Sequence, residues 1–127
     1  RFRFRAEGKM YRKEFTDAVQ NWVNLTGVKK EDAWYIYANA SDRINLAVFG
    51  KTAKEAKQMF DIPTLDLLRD WLPASVLRNI TRLEVTSTAL MGIDATLSPN
   101  EAIDKAILGH KVEAINLDDY VPSKLSV

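Results

Sequence analysis

The sequence predicts a mainly α fold: a compact bundle of about five to six short helices with a small N-terminal β-strand or hairpin. Three observations carry this reading. Apolar residues recur at spacings of three and four through most of the chain. Thr52 with Glu55 and Ser98 with Glu101 each form a capping box at the head of an apolar run. Only the opening residues Arg1 to Arg5 alternate strictly between basic and aromatic. Residues 1–110 therefore read as a single helical domain, with 1–11 as a strand or hairpin, and residues 111–127 read as an acidic C-terminal tail.

In chain order, Phe2 and Phe4 fall on one face of the opening strand and Arg1, Arg3 and Arg5 on the other, with Glu7-Gly8-Lys9 as a turn. Phe15, Ala18, Val19, Trp22 and Val23 then form a helical stripe that Gly27 ends. From Lys30 to Phe49 the spacing of Ala33, Tyr37, Ala40, Ile44, Ala47 and Val48 is helical, with a break expected near Asn39–Ser41, although Trp34-Tyr35-Ile36-Tyr37 is a run that strands favour. The stretch Ser41–Leu72 reads as three short helices around which the other segments must pack. Thr52 caps one of them and Thr64 the next, whose Leu65, Leu68, Trp71 and Leu72 point inward. Pro73 opens the longest helix, which buries Val76, Leu77, Ile80, Leu83, Leu90 and Met91 and ends at Gly92. Pro99 begins the last helix, which buries Ala102, Ile103, Ala106 and Ile107 and stops at Gly109.

With 127 residues the chain can bury a core without staples, and 46% apolar against 28% charged residues excludes a disordered chain. The absence of cysteine removes disulfides and thiolate metal sites. No apolar run reaches the ~18 residues of a membrane span. The chain opens at Arg1 and reads as a domain cut from a longer protein. Net charge is only +1, yet residues 1–30 carry eight Lys/Arg against three acids and residues 93–127 three against six. Such asymmetry marks either a polar partner surface or two ends that neutralise each other across the fold.

Chemistry is sparse. His110 is the single histidine, so neither a triad nor a zinc site can be assembled, and no glycine-rich phosphate loop exists among five glycines. Asp66 and Asp70 would share a face if helical, but a divalent-ion site needs more ligands than two, and Arg69 and Lys57 are the plainer partners. Three glycosylation sequons, at Asn24, Asn39 and Asn79, carry no information without a secretory signal. No catalytic residue, cofactor or metal is expected. Basic residues interleaved with aromatics can also bind nucleic-acid strands, which makes Arg1, Arg3, Arg5, Lys9, Arg12 and Lys13 the candidates for that function. The plainer reading is an edge strand with solvated arginines.

Several segments together resemble a domain of phage and prophage regulatory proteins, the KilA-N, Bro and Rha-type antirepressor group. They are Arg12-Lys13-Glu14-Phe15-Thr16-Asp17-Ala18-Val19, Ile36 to Asn45, Val48-Phe49-Gly50-Lys51-Thr52-Ala53-Lys54-Glu55, and Leu68-Arg69-Asp70-Trp71-Leu72 with Pro73 to Leu77 behind it. The resemblance covers about residues 10–108, and its most specific piece is Phe49-Gly50-Lys51-Thr52-Ala53-Lys54. Where relatives often carry histidine after the arginine-aspartate pair this chain has Trp71, which counts against catalysis there. The resemblance implies a non-enzymatic interaction or oligomerisation module of a cytoplasmic, bacterial-host regulator. Its partner would be a protein or a second copy, with any nucleic acid bound mainly by a separate N-terminal module. Exposed residues flanking the central stretch, Arg43, Lys51, Lys54, Arg69 and Trp71, are the expected partner-binding set.

Overall fold

The computed structural model of the chain describes residues 2–63 and 65–119, with side chains throughout except at residues 2–8 and 30. It contains five α-helices: α1 (Phe2–Thr26), α2 (Lys30–Phe49), α3 (Ala53–Phe60), α4 (Ala74–Ile93) and α5 (Pro99–His110). Two single turns of 3-10 helix, Leu68–Trp71 and Leu117–Asp119, complete it, and no strand is found among the described residues. Helix α4 packs against α1, α2 and α5, while α2 also meets α1 and α5. The bundle is therefore organised around α4 rather than around the Ser41–Leu72 stretch.

The N-terminal strand is the main correction. Phe2 to Thr26 is one helix, and the expected strand and hairpin over 1–11 are not seen; Arg1 lies outside the described residues. Five alternating residues need a partner strand, and the chain supplies no second alternation. Arg, Lys, Glu, Met and Ala are good helix formers, and extending a helix already nucleated costs far less than starting one. Gly8 inside the helix costs only about 1 kcal/mol. Farther along, Phe15, Val19 and Val23 are buried at four-residue intervals, as their spacing predicts, and Gly27 ends the helix at φ 72°.

Helix α2 is unbroken across Asn39–Ser41. Ala40, Ile44 and Val48 are 0–2% exposed and lie on one stripe, so core packing outweighs the weak local preference for restarting at a polar residue. The stripe also settles the aromatic run as helix. Gly50, at φ 72°, closes α2 by donating its N–H to the Leu46 carbonyl. At α3 the capping box forms as read: Glu55 N–H donates to the Thr52 hydroxyl at 3.2 Å and Thr52 N–H donates to the Glu55 carboxylate at 2.9 Å.

Between α3 and α4 the chain is not the expected turn and a half of α-helix. Leu67 is extended and the 3-10 turn begins only at Leu68, so Leu65 points outward, 97% exposed, while Leu68 and Leu72 are buried and Trp71 is half-buried against the core. Thr64, the expected cap, lies outside the described residues. Asp66 precedes the turn, and it does not share a helical face with Asp70.

Helix α4 runs one residue beyond Gly92 and buries Val76, Ile80, Leu83 and Ser87 along one stripe. At 20 residues it is shorter than the 25 of α1, so it is not the longest helix. Helix α5 has the expected Ser98–Glu101 box and Pro99 in its first turn, and Ala102, Ile103 and Ala106 are fully buried. The segment after α5 is not loose throughout. Ile115 N–H donates to the Val48 carbonyl at 2.7 Å and Leu117 is fully buried, so the chain to Asp119 is docked at the end of α2. Residues 120–127 lie outside the described residues. No described helix is long and apolar enough to cross a membrane.

Candidate functional site

The bundle concentrates its polar chemistry at one carboxylate that the sequence pattern gave no reason to single out. Glu84 sits in the buried stripe of α4, 1% exposed. Arg69, from the 3-10 turn, donates to its Oε2 at 2.9 Å, and Arg12, from α1, lies 3.6 Å from the same oxygen. Burying an unpaired carboxylate costs several kcal/mol, so two cations converge where the helical stripe forces an acid inward. Burial pushes the Glu84 carboxyl above its usual range against the pull of both arginines, and burial lowers Arg69 from its own ordinary value. Both bonds use Oε2. Among the described residues, Oε1 and the buried Ser87 hydroxyl one turn along have no hydrogen-bond partner.

Arg12 also lies over the Tyr37 ring, 5.7 Å from its centroid, and the Tyr37 hydroxyl is 3.3 Å from that of Thr16. These contacts close one end of an open groove of about 510 Å³ between α1 and α2. Val19, Val23, Val28 and Ala33 supply apolar lining, Gln20 and Asn24 a polar margin. Gln20 donates to the Asn24 side-chain carbonyl at 3.1 Å. Trp34 forms a wall of the groove and stacks on Tyr35 with ring centroids 3.8 Å apart. Both are exposed, Trp34 at 60% and Tyr35 at 53%, and Leu25 nearby in sequence at the end of α1 is 66% exposed. The run Trp34-Tyr35-Ile36-Tyr37 held the signal for this face. Consecutive residues on a helix point about 100° apart, so four in a row cannot all reach a core.

The expected partner-binding residues do not form one free patch. Arg43 reaches Asp104 of α5 at 3.6 Å, whereas Arg69 is turned inward to Glu84 between α4 and α1. Lys51, half-buried, and Lys54, exposed, stand at the start of α3, and Trp71 packs against the core. Of the basic N-terminal set, Lys9 is exposed, Lys13 pairs with Asp17 at 2.9 Å, and Arg12 is engaged with Glu84. Arg1 and the side chains of Arg3 and Arg5 lie outside the described residues. Arg12 and Arg69, drawn from two competing readings of the sequence, thus meet on one glutamate. Among the described residues no group of three or more acids and histidines is gathered as a metal site. Comparison with known proteins returns no matching family model, no matching curated protein and no matching solved structure.

Proposed function

We propose that this chain is a non-enzymatic protein-interaction or oligomerisation domain, of the kind implied by its resemblance to phage-type transcriptional regulators and antirepressors. We further propose that the α1–α2 groove and the aromatic pair beside it form the contact face. The observation that carries this reading is the Trp34–Tyr35 stack: two large rings more than half exposed beside an open, partly apolar groove. Trp and Tyr are among the residues that most often dominate binding energy at protein interfaces, because each presents a large apolar ring with a polar tip. Of the residues expected from sequence, Lys51 and Lys54 remain candidates at a second edge, while Arg43 and Arg69 have internal partners.

The test is to pan a displayed library of random peptides against the wild-type domain and against Trp34→Ala/Tyr35→Ala. The double variant should change unfolding free energy by no more than about 1 kcal/mol, because both side chains are exposed. Ligands enriched on the wild type and lost on the double variant support the face; equal enrichment on both overturns it. Binding of a random DNA duplex that collapses between about 50 and 200 mM salt would instead favour the nucleic-acid reading through the N-terminal basic residues.

A further inference from the structure

Five arginines have described side chains, and the fold divides them. Arg12 and Arg69 meet Glu84, and Arg43 meets Asp104. Arg78 and Arg82 are exposed and have no charged or hydrogen-bonded partner among the described residues. They stand one turn apart on α4, on the side away from the buried Val76, Ile80, Leu83 and Ser87. Ser75, Asn79, Arg82 and Thr86 step along this side by four, three and four, with Arg78 beside them, and the three neutral residues are half-buried. The Thr86 hydroxyl lies 2.6 Å from His110 Nε2, which brings the end of α5 against the row, and exposed Lys111 follows.

Acids keep off this side. Glu84, the only acid within α4, is buried with its own arginines. Asp94 accepts from the Thr96 hydroxyl and backbone N–H, and at 1.5 Å per residue it lies about 18 Å along the axis from Arg82. Glu113, exposed two residues past Lys111, marks the edge.

We propose that this side of α4, with Lys111, binds the sugar-phosphate backbone of a nucleic acid. Uncompensated arginines along one helix face are the electrostatic footprint of such binding, and phosphate oxygens accept from arginine, asparagine, serine and threonine alike. Backbone contacts of this kind position the protein without reading bases, so the binding is independent of sequence. Serine and threonine are uncommon among the residues that dominate protein–protein binding, which sets this row apart from the aromatic face. No residue of α4 lines the α1–α2 groove, so the surface goes beyond the groove reading and leaves that groove free. Of the N-terminal basic residues, Arg12 and Lys13 are already engaged by Glu84 and Asp17.

Fluorescence anisotropy of a labelled random-sequence DNA duplex, titrated with the full chain over a range of salt, tests this. Three phosphate contacts, one each from Arg78, Arg82 and Lys111, give a slope of log affinity against log salt of about −2.7, so binding should weaken about fortyfold between about 50 and 200 mM salt. Arg78→Gln/Arg82→Gln removes two contacts and should bring the slope to about −0.9, whereas Arg78→Lys/Arg82→Lys keeps both charges and should hold it near −2.7. Neither pair of changes touches a core contact, so both variants fold. No binding at about 50 mM salt, or a slope unchanged in the glutamine variant, overturns the proposal. A slope lowered only in Lys9→Gln/Lys13→Gln moves the contact to α1 and overturns it too. Poly-aspartate bound as tightly as the duplex, and lost in the same glutamine variant, would make the row a dock for an acidic protein segment and likewise overturns it.

Discussion

Two seams of this bundle are each crossed by arginine and carboxylate, and burial separates them. Between α1 and α4, Glu84 has 2% of its side chain exposed and receives Arg69 at 2.9 Å and Arg12 at 3.6 Å. Between α2 and α5, Arg43 and Asp104 meet at 3.6 Å with 42% and 54% of their side chains exposed. In the second seam water solvates both partners whether or not they touch, so the pair adds little. In the first, desolvation has already raised the energy of each charge, and the contact is what makes the arrangement tolerable. Identical chemistry is therefore an option at one seam and a requirement at the other.

The largest expected effect breaks the buried seam from one side. Glu84→Leu leaves two arginines facing a methyl-lined pocket and should lower unfolding free energy by about 3 kcal/mol or more in urea titration. Adding Arg69→Met should recover at least half of that loss, because an apolar pair of similar volume needs no compensation. If the double change is as damaging as the single one, the arginine was not answering the acid. A middle-sized effect lies outside both seams and calibrates them: Thr52→Ala removes the α3 cap and should cost about 1 kcal/mol. At the exposed seam Arg43→Gln should cost less than about 1 kcal/mol and even less in 1 M salt, where such pairs are screened.

The smallest predicted effect concerns pH, and its sign distinguishes the groups. Glu84, faced by Arg69 from the 3-10 turn, by Arg12 from α1 and by the Ser87 hydroxyl on its own helix, has a folded pKa raised by burial. The folded state then binds its proton more tightly than the unfolded chain. Its contribution is full below the unfolded value of about 4.3 and is lost as pH rises through the folded value. Glu55 and Asp94 are lowered, by the Thr52 backbone and side chain and by the Thr96 side chain and backbone respectively. They act oppositely, stabilising above the unfolded value and losing that contribution as pH falls. Stability measured from pH 7 down to pH 4 should therefore fall more steeply in Glu84→Gln than in the wild type. A shallower fall in Glu84→Gln than in the wild type would mean that the arginines, not burial, set the Glu84 titration, and parallel curves would mean that the two cancel.

What the sequence determined by itself is whatever depends on residues within about one turn of each other. Both capping boxes, the Gly27 helix end and the stripes Phe15–Val19–Val23 and Ala40–Ile44–Val48 were legible because spacing and local hydrogen bonding specify them. The alternation of Arg1 to Arg5 misled because a strand needs a partner, whereas a helix extends on its own bonds. The tertiary structure alone decided that residues 12, 69 and 84 share one site, since their separations of 57 and 15 positions carry no local signature. It also decided that Leu65 faces outward, that Leu117 is buried against the core, and that Trp34 and Tyr35 stand in solvent. Periodicity tells which side chains share a face. Only packing decides which face another helix covers, and therefore which acid must be neutralised and which rings remain open.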